Sequence, residues 1–162
     1  MKNAVLISIR PRHAAKIIGR IKTDELRKTF PHKIEGAYKC FMYVTKMREP
    51  YLTCNVLTPS RNIYEGDGKI VAEWTCETPM PFCVYFGRRP KEEFLDVVCG
   101  GIEITNREIV KYLGISSDPA YSKRGYLWHI NDLKVYDSPL TLADFGLKRA
   151  PQSWCYVEDI TR

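Results

Sequence analysis

The sequence predicts an α+β domain: a small mixed β-barrel of about five to six strands with flanking helices. Three observations lead there. Five or six segments are built from apolar runs or from the aromatic and β-branched residues that suit pleated, half-buried surfaces. Helical patterns fall between them without the regular strand–helix–strand alternation of a doubly wound sheet. The 162 residues, 44% of them apolar, are one domain's worth of chain with enough material for a core.

Val5, Leu6, Ile7 and Ile9 form the first buried strand, and Pro11 suits the first turn of a helix, where its missing N–H has no partner to lose. Ala14, Ile17 and Ile18 supply that helix's apolar stripe, and Gly19 is expected to end it in left-handed geometry. In the extended stretch that follows, Thr23, Glu25 and Arg27 share one face while Asp24, Leu26 and Lys28 share the other. Neither face is apolar, which is anomalous for a strand of a packed domain. After a connection at Pro31–Gly36, Tyr38–Thr45 and Lys69–Thr75 read as strands, separated by a loop or irregular hairpin over 46–68. Phe82–Phe86 reads as an edge strand because Pro79 and Pro81 flank it. A helix is expected from Pro90 with Phe94, Val97 and Val98 inward, stopped at Gly100-Gly101. Thr105 and Glu108 make a capping box for a second helix whose apolar face is Ile109, Tyr112 and Leu113, with Gly114 its stop. Tyr126–Tyr136 suits one strand crossing a barrel, Ser138-Pro139 begins a helical turn through Phe145 ended by Gly146, and Trp154–Val157 is the last strand.

Charge is unevenly placed. The chain carries +6, yet the first forty residues hold ten Lys/Arg against three acids, so the rest of the chain is slightly acidic. Such a concentrated field attracts phosphates or an acidic partner, or is simply a solvated basic face. No apolar run approaches a membrane span, and the apolar run at the start is too short for a signal peptide, so the expectation is a cytoplasmic protein without a membrane partner. The six cysteines lack the spacing of zinc ligand pairs and read as free thiols; no metal or organic cofactor is expected.

The run Gly19–Arg27, GRIKTDELR, placed after a strand and a short helix, resembles the G-x-K-x-x-E-x-R motif of the ASCH domain, a member of the PUA-like superfamily. Tyr43-Val44-Thr45, the stretch Gly68–Glu73, and Trp128–Leu133 with Pro139 resemble further strands of that family, and Ala150–Trp154 resembles prophage-associated bacterial members. The resemblance spans residues 1–162 as one domain, with 77–125 as a variable helical insertion. It implies a PUA-like barrel, a cleft between the first helix and the barrel, and a role in binding RNA. Some members act instead as amidohydrolases on acetylated cytidine, through a lysine, a threonine and a glutamate, and others are associated with ribonuclease activity. The amidohydrolase lysine falls on Lys22, but its threonine falls on Glu25, and Glu73 is only a candidate for its glutamate.

The candidate site is therefore Lys22, Glu25 and Arg27. In one reading Lys22 and Arg27 meet phosphate or base edges while Glu25 accepts from a base or orients Arg27. In the other the three form an internal ion-pair network that fixes the turn after the helix. Ser8, Arg10 and Arg12 are expected to flank the same cleft, Arg10 being the better phosphate contact beside a helix N-terminus. Thr23 joins the site by adjacency, and Tyr43, Trp74 and Trp128 are candidate stacking platforms for bases. His129 reads as a structural histidine. Two functions stay open: binding of RNA or a nucleotide without chemistry, and hydrolysis of a modified nucleoside or RNA with Lys22 and Glu25 as acid–base groups.

Overall fold

The computed structural model describes residues 3–47, 53–85, 101–114 and 122–161. Its architecture is mixed α+β, organised around a five-stranded sheet. In chain order the elements are β1 (Ala4–Ile9), α1 (Pro11–Ile18), β2 (Asp24–Arg27), β3 (Tyr38–Val44), β4 (Asn55–Leu57), β5 (Ile63–Glu65), β6 (Ile70–Cys76), β7 (Met80–Tyr85), α2 (Asn106–Leu113), β8 (Ser122–His129), β9 (Asn131–Leu140), a 3₁₀ turn (Ala143–Phe145) and β10 (Trp154–Val157). The main sheet runs β10-β1-β3-β6-β9, with β1 and β3 parallel and the other neighbours antiparallel. A second sheet runs β2-β8-β7, and β4 and β5 form a separate hairpin.

The main sheet is covered on both faces, which is why every residue of β1 is buried. Val5, Ile7 and Ile9 face α1, where Ala14 and Ile17 join Met42, Val44, Trp74 and Trp128 in one core. Ala4 and Leu6 face the other way, onto Phe41, Tyr43 and Ile70, and the chain after β9 folds Leu142, Phe145 and Leu147 over them. A smaller core, Leu26, Ile102, Ile109, Leu113 and Leu127, seats α2 on β2 and β8. That contact is close at Gly125, where a Cβ would stand 2.9 Å from the Leu26 side chain.

Several expectations are corrected. There are ten described strands rather than five or six, because the 46–68 stretch contains the β4–β5 hairpin, the charged stretch after α1 pairs with β8 as β2, and Tyr126–Tyr136 divides between β8 and β9. The sheets do not close into a barrel among the described residues; β10 and β9 are the free edges of the main sheet. Tyr126–Tyr136 is two strands: the chain leaves the small sheet at Ile130 and enters the main one, with Asp132 in left-handed geometry (φ 52°) at the corner. Pro139 lies within β9, which tolerates it at a sheet edge, so helical geometry is confined to Ala143–Phe145. Gly19 has φ −72°, and Arg20 takes the left-handed position instead, at φ 57°. The N–H groups of Arg20 and Ile21 then close back on the carbonyls of Ile17 and Lys16, satisfying the helix end. The segment 77–125 includes β7 and part of β8 as well as α2; residues 86–100, most of the helix expected from Pro90, lie outside the described residues. Its expected stop at Gly100-Gly101 is corrected, since Gly101 and Ile102 are still helical and Glu103 takes the left-handed position (φ 51°). The capping box is formed, Thr105 accepting from Glu108 N–H, with Gly114 in left-handed geometry closing α2.

Candidate functional site

The turn after α1 delivers three charged side chains of consecutive elements into one place. Lys22, Glu25 and Arg27 are 3%, 8% and 8% exposed, so the polar face of β2 is turned inward rather than to solvent. Glu25 sits between two cations: its carboxylate is 3.3 Å from Lys22 Nζ and 3.0 Å from Arg27 Nη2. Lys22 Nζ also donates to the Ile102 carbonyl at 2.6 Å, and Arg27 Nη2 donates to the Ser8 carbonyl at 2.7 Å. Burial alone would raise the Glu25 carboxyl, but Arg27 and Lys22 outweigh it and hold the group below its usual range. Glu25 is thus a carboxylate shared by two buried cations.

This triad forms the floor of a cleft of about 740 Å³. Ser8, Arg10 and Thr45 border one side, Arg12 and His13 of α1 another, and Ile104 with Glu108, Lys111 and Tyr112 of α2 the opposing wall. Contacts from α1 and the turn after it hold α2 and the residues before it in place. Arg12 Nη2 donates to Glu108 at 2.8 Å, Lys16 Nζ meets Glu103 at 3.2 Å, Lys22 reaches Ile102 as above, and the Thr23 N–H donates to the Gly101 carbonyl at 2.9 Å. Five cations and two acids line the cleft, for a net +3. Among the described residues no ion pair engages Arg10 or Lys111.

The residues expected at the site divide accordingly. Ser8, Arg10, Arg12, Lys22, Glu25 and Arg27 are brought together. Ser8 is 6% exposed and its hydroxyl donates to the Pro151 carbonyl at 2.7 Å, so it borders the cleft with its own side chain already engaged. Thr23 is exposed and turned away, its hydroxyl donating to Asp24, whose other oxygen is 2.9 Å from His129 Nδ1. The stacking assignments are corrected: Trp74 (1% exposed) and Trp128 (0%) are core residues under α1, and Tyr43 is buried on the opposite face of the sheet. Glu73 is equally distant in topology, pairing across from Phe41 on that far face and accepting from Tyr136 at 2.6 Å. It therefore cannot complete an amidohydrolase set with Lys22. Arg20 and Ile21 also separate Gly19 from Lys22, one residue more than the motif spacing.

Sequence reading missed His13, Thr45, Glu108, Lys111, Tyr112 and Gln152. The signal for part of α2 was present: Glu108, Lys111 and Tyr112 recur at i, i+3 and i+4, a polar stripe beside the apolar one. Tyr112, expected in the apolar face, is 37% exposed and borders the cleft, with Lys28 Nζ 5.3 Å from its ring centroid. Among the described residues no cluster of His, Cys, Asp or Glu has the arrangement of a metal site. Cys40, Cys54, Cys76 and Cys155 are free thiols.

The arrangement of sheets and helices is shared with a solved protein. The crystal structure of ASCH from Zymomonas mobilis matches 98% of this chain and 90% of its own, with a TM-score of 0.64 at 14% identity. The chain has the ASCH fold. Structures of two point variants of that Zymomonas mobilis protein agree, with TM-scores of 0.64 and 0.63 at 13% and 14% identity, covering 98% and 97% of this chain and 90% and 91% of theirs. No protein-family model matches the sequence, and no curated protein does. Within the ASCH fold of this chain, the cleft lies between α1, β2 and α2, and no described helix is long and apolar enough to cross a membrane.

Proposed function

We propose that this chain binds nucleic acid through the basic cleft, with single-stranded RNA or a nucleotide as the ligand class. The observation that carries the reading is the net +3 cleft in which Arg10 and Lys111 stand without an ion-pair partner among the described residues. Cations whose charge is already spent on Glu25 or Glu108 have less to offer a phosphate than Arg10 and Lys111 do. Lys22 and Arg27 then serve as the fixed floor that positions Ser8, β2 and the α2 wall, and Arg10, at the N-terminus of α1, meets the phosphate. Tyr112 offers the exposed aromatic surface for a base. The ASCH fold supports the same ligand class through the resemblance of the motif residues.

The test is titration of a labelled short single-stranded RNA over a series of salt concentrations. Arg10→Ala and Lys111→Ala weaken binding, and each lowers the slope of log affinity against log salt by about 0.7, the value for one single-strand phosphate contact. These rim positions replace Lys22 and Arg27 as probes because the latter are buried in the triad. Affinity indifferent to salt and to both substitutions overturns the reading.

A hydrolytic reading, with Lys22 and Glu25 as acid–base groups, draws on their 3.3 Å contact in the cleft floor. The same charge pairing keeps Glu25 ionised and makes it a weak base. Product from single-stranded RNA or an N-acylated nucleoside, lost in Glu25→Gln at a temperature where circular dichroism shows the variant still folded, would establish it.

A further inference from the structure

His13 is the residue of the cleft that intramolecular contacts leave incomplete. It stands on α1 where the main cleft meets a smaller recess of about 390 Å³ beside Lys16, Glu103 and Thr105. Its Nε2 lies 3.3 Å from Arg12 Nε. A guanidinium has only donors, so Nε2 accepts and the ring proton resides on Nδ1. That Nδ1 is buried and has no acceptor among the described residues. Arg27 Nε, on the floor of the same cleft, is a second buried donor in the same condition. Tyr38 Oη, Trp74 Nε1 and Trp128 Nε1, inside the core, also lack partners among the described residues, so an unpaired group alone marks no ligand. His13 Nδ1 and Arg27 Nε are the two that belong to residues bordering the cleft, where an acceptor can arrive with a ligand.

We infer that His13 is a ligand-contacting, specificity-determining residue of this cleft, its Nδ1–H donating to an acceptor oxygen of the bound nucleic acid. The inference rests on the binding reading above and names the group that reading lacks. Burial holds the imidazole down to about 4, with Lys22 and Arg12 adding to the effect over the opposing pull of Glu25, so the ring is neutral near pH 7. A neutral donor adds nothing to the attraction of phosphates from solution. It acts only on an acceptor already seated, which is a selective role rather than a steering one. The acceptor is an oxygen lone pair, supplied either by a backbone phosphate or by a base carbonyl.

Two variants of the full chain test this. His13→Phe keeps the ring and removes the donor; His13→Asn keeps a side-chain N–H near the position of Nδ1. Each is titrated with labelled oligo(U) and oligo(A), single-stranded and of equal length, over a salt series, and unliganded melting temperatures are recorded. His13→Phe is expected to weaken oligo(U) binding about tenfold with the salt slope unchanged, while His13→Asn stays within about threefold of the wild type. Unliganded His13→Phe melts no lower than the wild type, because replacing an unpaired buried polar group by an apolar one removes a cost. A loss equal on both oligomers assigns the acceptor to phosphate; a loss confined to oligo(U) assigns it to a base carbonyl, which adenine does not have. Wild-type affinity in both His13 variants while Arg10→Ala still weakens binding overturns this inference and leaves the binding reading standing. Binding lost in parallel with melting temperature in both variants overturns it too, by making His13 structural. No binding by the wild-type chain removes both.

Discussion

Glu25→Gln is the substitution on which the account of the cleft floor depends. The variant keeps size and shape but removes the charge shared by Lys22 and Arg27, whose nitrogens stand 3.3 and 3.0 Å from the carboxylate. At an effective dielectric near 20, each contact is worth about 5 kcal/mol of Coulomb attraction before desolvation is counted. The net quantity is smaller, because all three groups have already left water. Removing one partner from a buried network nevertheless leaves uncompensated charge inside, at a cost of about 3–5 kcal/mol. For a chain of this length that is a fall in melting temperature of roughly 6–20 °C. Urea unfolding followed by tryptophan fluorescence reads it, since Trp74 and Trp128 are buried in the native state. The pH dependence supplies a second check. The folded Glu25 carboxyl lies below its ordinary value of 4.5, so its stabilisation is complete above that pH and disappears as pH falls through the folded value. The stability gap between wild type and variant therefore narrows on acidification below pH 4.5. A gap under about 1 kcal/mol at pH 7, the range of exposed ion pairs, or one that is constant with pH, would refute the shared-carboxylate reasoning.

Three further outcomes follow from the α2 wall and from the core. Thr105→Ala removes the cap of α2 and costs about 1 kcal/mol in chemical denaturation. Glu108, held down to about 2 by hydrogen bonds from Thr105 and by Arg12, keeps its capping role above pH 4.5 and loses it only as pH falls through about 2, so the helical signal of α2 persists at pH 4. Trp74→Phe destabilises the chain by about 1–3 kcal/mol, as core truncations do, yet leaves RNA affinity per folded molecule unchanged; a selective loss of affinity would place Trp74 at the ligand after all.

What was legible in the sequence was what short-range chemistry dictates. Pro11 and the Ala14–Ile17 stripe announce α1, Thr105 and Glu108 announce the start of α2, and the apolar stretches of β1, β3 and β6 announce the main sheet. The charges of β2 marked the candidate cleft for the same reason: alternation puts Glu25 and Arg27 on the face opposite Leu26, which packs under α2. Strand number and the stacking residues were not legible, because both depend on which face of each strand is covered. Trp74 and Tyr43 are indistinguishable from exposed aromatics until the α1 side and the post-β9 segment are seen to cover the two faces of the sheet.

By itself, then, the sequence determined the basic opening quarter, the α1–β2 unit and the alternation that puts Glu25 and Arg27 on one face. The tertiary structure alone decided that Lys22 and Arg27 share the buried Glu25 carboxylate, that α2 walls the cleft, and that His13 borders it with a buried nitrogen unpaired among the described residues. The physical reason is range. Turns, caps and face periodicity are set within a few residues, whereas a cleft is made where segments some 80 residues apart, such as Lys22 and Ile102, come into hydrogen-bond contact. No local pattern records that encounter.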